Sequence, residues 1–146
     1  MLLSLELLQD LAQSHGDQIA FEVDATPVTY NELLTAVNAI AVALQGHNPI
    51  AGSPVGLCAA NSAEYLVSLL AILAAGKTCL PLNCHGSSEE LYSILEKTMP
   101  STIIVDNLGD ELIHCDDDVK IHFSQFAGIV HTYRGQTPQP QAATES

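Results

Sequence analysis

An α/β fold, a layered parallel sheet with helices on both faces, follows from three features of the sequence. Short apolar runs of strand length recur at residues 55–59, 78–82 and 102–105. The intervals between them hold two segments of helical periodicity, and each of these opens on a capping pattern. Strands that alternate with capped helices pair in parallel through right-handed crossovers, which lay the helices on the sheet faces.

In chain order, Leu5, Leu8, Leu11 and Ala12 repeat at helical spacing up to His15. Gly16 and Asp17 stop that helix before a strand at Ile19–Val23, and residues 24–27 read as a turn. Thr29-Tyr30-Asn31-Glu32 is a capping box, in which hydroxyl and carboxylate satisfy each other's orphan backbone donors. Val28 can staple onto Leu33, and Leu33, Val37, Ile40 and Leu44 line one helix face as far as Gly46. After a loop at 49–54 and the strand at 55–59, Asn61-Ser62-Ala63-Glu64 caps a helix to about residue 75 that is apolar nearly all round. Ser87-Ser88-Glu89-Glu90 is a third box, leading Leu91, Ile94 and Leu95 to the stop at Pro100. Beyond Asp106 a short strand at 111–115, a solvated turn at Asp116-Asp117-Asp118 and a strand at 120–123 are the expectations. Residues 1–134 form one α/β subdomain, and 135–146, with Pro138 and Pro140 among Gln, Thr, Ala and Ser, read as a flexible linker or tail.

Composition narrows the function. A chain of 146 residues, 47% hydrophobic, suffices for one domain with a buried core. Seventeen acidic residues against four basic ones give a formal charge of −13, which repels nucleic acid and anionic membrane surfaces. Lys77, Lys97, Lys120 and Arg134 are scattered, so no basic cradle for a triphosphate assembles locally. Cys58, Cys79, Cys84 and Cys115 lack the spacing of a disulfide scaffold and no secretory signal architecture is recognisable, which fits a reducing cytoplasm. Glu6 and Asp10 break the opening run of Leu2, Leu3, Leu5, Leu7 and Leu8 into an amphipathic helix, and the apolar stretch at 65–76 falls well short of the roughly 20 residues of a membrane span.

Several motifs imitate chemistry. Gly76-Lys77-Thr78 resembles the end of a phosphate-binding loop, but Ala71 stands where that loop needs glycine and the segment leaves a helix rather than entering one, so a helix C-cap is the better account. Cys84-His85 and His114-Cys115 are zinc-ligand types without the spacing that lets both members of a pair converge. No third partner or oxyanion glycine motif accompanies a cysteine nucleophile. Glu89-Glu90 complements a helix N-terminus, Asp116-Asp117-Asp118 is a solvated turn, and Tyr65 and Tyr92 are core or rim residues.

Taken in order, Asp17-Gln18-Ile19-Ala20-Phe21, Val28-Thr29-Tyr30-Asn31-Glu32-Leu33, Asn61-Ser62-Ala63-Glu64-Tyr65 and Leu73-Ala74-Ala75-Gly76-Lys77 through Pro81-Leu82-Asn83 resemble the opening of the adenylate-forming (AMP-binding) ligases, the superfamily of acyl-CoA synthetases, luciferases and nonribosomal-peptide adenylation domains. The likeness covers residues 5–107 and includes two signature motifs, a Thr-Tyr-x-Glu-Leu helix start and a Leu-x-Ala-Gly segment running into Pro-Leu plus a polar residue. It implies the N-terminal part of that ligase fold. The implied chemistry is formation of an acyl-adenylate from a carboxylic acid and Mg-ATP, then transfer to a thiol of coenzyme A or a carrier protein. The family's phosphate loop, adenine and magnesium segment, ribose aspartate and C-terminal lysine are not found here, and residues 142–146 resemble the linker that leads toward the phosphate loop. No catalytic, cofactor-binding or metal residue is therefore carried over. Thr29, Tyr30, Glu32, Gly76, Pro81 and Asn83 are signature positions with structural roles. The resemblance implies an inactive fragment whose partner is the remainder of the same ligase chain, with self-association through uncovered apolar surface. A stand-alone, non-catalytic protein-interaction module built on the same scaffold is the alternative, while a dinucleotide-binding fold lacks its glycine-rich turn.

Overall fold

In the computed structural model, which describes residues 5–23, 25–60 and 62–139, the chain opens with α1 (Leu5–His15), whose Leu8 is fully buried. β1 (Ile19–Val23) pairs antiparallel with β2 (Thr26–Thr29), so Thr26 and Pro27 of the segment expected to be a turn begin the second strand of a hairpin. Pro27 hides that strand from sequence patterns, since proline lacks a ladder donor and is tolerated only at a sheet edge. Asp24 of the expected turn lies outside the described residues.

α2 (Tyr30–His47) begins as expected. Thr29 Oγ1 accepts from Glu32 N at 3.1 Å and Glu32 Oε1 accepts from Thr29 N at 3.0 Å, while Leu33, Val37, Ile40 and Leu44 are buried along one face. β3 (Pro54–Cys58) leads to α3 (Ala63–Ala74), capped by Ser62, whose Oγ accepts from Tyr65 N. The cap is therefore Ser62 rather than Asn61, which lies outside the described residues. β4 (Thr78–Pro81), α4 (Ser88–Thr98) and β5 (Thr102–Val105) follow as predicted, with Ser87 Oγ accepting from Glu90 N at 3.1 Å.

Two departures follow β5. The strand expected over 111–115 does not form: Glu111 and Leu112 end α5 (Asn107–Leu112), which Asp106 caps, and residues 113–115 are an irregular connection. The apolar pair Leu112 and Ile113 is a helix end packed on the sheet, and so short a run cannot tell helix from strand. β6 (Lys120–His122) is the expected last strand, and a 3-10 turn at Phe123–Gln125 then enters the unforeseen α6 (Phe126–Tyr133). Gln125 gives α6 no side-chain cap and Gly128 within it is a poor helix former, so its sequence signal is weak. Phe126 and Ile129 hold it on the α2 side of the core. Of the linker expected over 135–146, Gln139 exchanges backbone hydrogen bonds with the Gln45 side chain at 2.8 and 2.9 Å, and residues 140–146 lie outside the described residues.

The four strands β4-β3-β5-β6 form one parallel sheet in that order. Side chains alternate across it: Val55, Leu57 and Ile104 join a core with α2 and α3, whereas Cys58, Ile103 and Val105 join a second core with Leu91 of α4 and Ile113. Helices thus cover both faces.

At the N-terminal end of the sheet, Gly76-Lys77-Thr78 forms a clamp. Gly76 takes φ +72, which glycine adopts without strain, and its carbonyl accepts from Gly52 N at 2.7 Å. Lys77 is 6% exposed, and its Nζ donates to the carbonyls of Asn48 and Ile50 and to Ser53 Oγ. Burial pushes the pKa of this ammonium below its ordinary value. Every donor of the lysine points into the loop before β3, so it serves the fold and not a phosphate. Lys77→Met keeps the stem but removes the ammonium's bonds to the Asn48 carbonyl and Ser53 Oγ, and one of the donors to Ile50 O, which keeps Ser53 N and Oγ. The expected loss is about 1–3 kcal/mol of unfolding free energy, read as a lower urea midpoint at unchanged m-value; an unmoved midpoint would remove the clamp from this account.

Candidate functional site

In an open parallel sheet, ligands settle beyond the carboxyl ends of the strands where successive crossovers run in opposite directions. From β3 the chain crosses to β4 on one side, and from β4 it passes over to β5 on the other, so that point lies between β3 and β5. Cys58, Asp106 and the segment after β4 meet there.

Asp106 dominates the crevice. Its Oδ1 accepts from Gly109 N at 2.8 Å and caps α5, while its Oδ2 accepts from Ala60 N at 3.0 Å and bridges to the chain leaving β3. The backbone amides of Ala60 and Gly109 are thus taken by a carboxylate, which has the same sign as a phosphate oxygen. Gly109 closes the gap further: a Cβ built on it would stand 2.1 Å from the carbonyl oxygen of Cys58. The helix therefore rests directly on the end of β3, and the residues of this crevice do not fit a nucleotide triphosphate.

Beside it, Leu82 N donates to Leu57 O at 2.9 Å, extending the ladder past β4, and brings Cys84 Sγ to 3.0 Å from Cys58 Sγ. Cys58 is fully buried, and burial first, then its contact with Cys84, pushes its thiol up to about 12. It is a protonated thiol at neutral pH, not an activated nucleophile. Burial also raises Cys79 and the exposed Cys115. At the end of β6, His122 Nδ1 accepts from Ser124 N at 3.0 Å, so its proton sits on Nε2 and is donated to Asn107 Oδ1 at 2.8 Å. This histidine too is engaged in joining turns.

The signature positions fall at separate places. Thr29, Tyr30 and Glu32 start α2, Gly76 ends α3 in the clamp, Pro81 ends β4, and Asn83 reaches the carboxyl edge, where its Oδ1 accepts from His85 N at 2.9 Å. Cys84 faces Cys58 rather than His114 or Cys115, and among the described residues no group of three or more His, Cys, Asp or Glu is placed to hold a metal ion. Tyr92 OH donates to Leu112 O and accepts from His114 N, a rim tie between α4 and the segment after α5. Next to it, a cleft of about 490 Å³ is lined by apolar Leu95, Met99, Ile103, Ile113 and Val119 and, among its polar members, by Tyr92, Glu96, His114 and Cys115. The Tyr92 hydroxyl there is already bonded to backbone on both sides. Asp106 and Gly109 were not singled out from the sequence; an Asp three residues before a Gly, directly after an apolar strand, is the signal that marks them.

A profile of AMP-binding enzymes matches residues 8–144. Equisetin synthetase eqxS of Fusarium heterosporum is 32% identical over 107 residues, which is 73% of this chain and 3% of that protein. Two solved structures share the fold. NpsA of Klebsiella oxytoca, in complex with 3-hydroxyanthranilyl-AMSN, superposes with a TM-score of 0.75 at 19% identity, over 98% of this chain and 29% of its own. The inhibitor-bound N-terminal domain of FACL13 from Mycobacterium tuberculosis superposes at 0.81 with 17% identity, over 97% of this chain and 38% of its own. The chain thus spans a small share of each of these proteins.

Gly109→Ala forces its methyl group against a backbone carbonyl that no rotamer change can move. It is expected to cost about 3 kcal/mol of stability, the upper end for an overpacked site, measured by urea unfolding. A neutral result would mean that α5 slides freely on β3.

Proposed function

The chain belongs to the family of AMP-binding enzymes, and from that premise we propose that it is the N-terminal subdomain of an ATP-dependent, AMP-forming carboxylic acid ligase, a scaffold that is inactive alone. In the reaction of such a ligase a carboxylate oxygen attacks the α-phosphate of Mg-ATP and pyrophosphate leaves. A thiol of coenzyme A or a carrier protein then attacks the acyl carbon and AMP leaves. The first transition state spreads negative charge over phosphate oxygens, so it needs positioned cations and donors.

The closed crevice between β3 and β5 is the observation that carries the reading. Asp106 holds the local backbone donors, Lys77 is spent in its clamp, and Lys120 is paired with Asp110 at 2.7 Å. The chemistry therefore falls to residues beyond those described, and the partner of this domain is the rest of its own ligase chain. The peptide-synthetase and acyl-CoA-ligase neighbours leave amino, aryl and fatty acids as candidate substrates. Four free cysteines, and among the described residues no helix long and apolar enough to cross a membrane, fit a cytoplasmic setting.

ATP–pyrophosphate exchange tests the proposal. The full-length protein, offered a panel of amino, aryl and fatty acids, is expected to exchange with one class, and residues 1–146 alone with none. Exchange by the short chain would overturn the scaffold reading, and silence of the full-length protein across the panel would favour the interaction module. Separately, Ile50, Leu73 and Met99 are 66%, 56% and 79% exposed, and the isolated domain is expected to self-associate through such surface. A single monomeric boundary in sedimentation at high concentration would contradict that.

A further inference from the structure

The two thiols at the carboxyl edge have no part in the ligase reading. Cys58 is the last residue of β3, and Cys84 lies two residues beyond Leu82, whose amide is bonded to Leu57 O at 2.9 Å. That ladder bond sets the approach, and both sulfurs pack with Leu82, Leu91, Ile103 and Val105. The sulfurs are 3.0 Å apart, so they need to close by only about 1 Å to reach a disulfide bond length. Cys84 sits in a short turn, and its side chain is half-buried while Cys58 is enclosed. One thiol can meet an oxidant from solvent and the other can only meet its neighbour.

We propose that Cys58 and Cys84 are a covalent modification site, a dithiol that small-molecule disulfides of the glutathione class oxidise to an intrachain disulfide joining the end of β3 to the segment that leaves β4.

The exchange runs in two steps. Cys84, as thiolate, attacks one sulfur of the small disulfide; the Cys84–S–S–R bond forms, and the other half leaves as a thiolate. Cys58 then gives up its proton and attacks Cys84 Sγ; the Cys58–Cys84 bond forms, and the second small thiolate leaves and is protonated. Two protein thiols are oxidised, one small disulfide is reduced to two thiols, and no further oxidant is needed. The high pKa and burial of Cys58 keep it from attacking a disulfide in solvent; once Cys84 is captured, the enclosed sulfur has one electrophile within reach. The bond would lock the exit of β4, with the signature residue Asn83, against β3.

The test uses the full-length protein, reduced, then titrated with oxidised glutathione, quenched in acid, denatured, alkylated and digested for mass spectrometry. One cross-linked pair of peptides carrying Cys58 and Cys84 is expected, about 2 Da below the sum of the reduced peptides, reversed by dithiothreitol. Cys79 should remain fully alkylated. Cys84→Ser should abolish the cross-link, and Cys115→Ser should leave its yield unchanged. A stable glutathione adduct on Cys84 with Cys58 still alkylated would overturn the proposal. So would glutathionylation confined to the exposed Cys115.

Discussion

A strand that pairs in parallel on both edges must have its faces covered, because the crossovers that return the chain to the same end lay helices across the sheet. β3 is that strand here, bonded to β4 on one side and β5 on the other. Its alternate residues feed two separate cores, one shared with α2 and α3 and the other with α4 and the chain after α5. Everything else is arranged around the need to enter and leave it cleanly.

The two ends of the sheet meet that need with different chemistry. At the entry end, a buried ammonium gathers carbonyls of the loop between α2 and β3, so one lysine organises backbone that has no regular partner. At the exit end a carboxylate does the converse and gathers amides, joining α5 to the chain beyond β3. Neither charge is free for a ligand. A protein with a formal charge of −13 and four basic residues has little cationic chemistry to offer, and the structure commits part of it to internal work.

The carboxyl edge nonetheless holds the unusual groups of the molecule. Asp106, Asn83, His122 and the Cys58–Cys84 pair lie at or just beyond the strand ends, where the parallel arrangement brings distant segments together. Asp106, His122 and the two cysteines each reach a neighbour at least 15 residues away in sequence, while Asn83 closes a local turn on His85. The likeness to the NpsA and FACL13 structures concerns the fold.

The sequence by itself determined the α/β class, the strands at β3, β4 and β5, and the caps of α2 and α4, because alternation of apolar runs and capping chemistry are local signals read over a few residues. It also carried the family signature in Thr29-Tyr30-Asn31-Glu32-Leu33 and in Gly76 through Asn83, and it set aside a phosphate loop at Gly76-Lys77-Thr78 from the spacing and from the helix that the segment leaves. Only the tertiary structure decided that β2 pairs across the first turn, that residues 107–112 form a helix and that α6 closes on α2, since these segments are short, poorly capped or proline-bearing and gain their stability from packing. It alone decided that Asp106 reaches Ala60 and that Cys84 meets Cys58, because residues 46 and 26 apart in sequence become neighbours through the order of the strands, which no local pattern encodes.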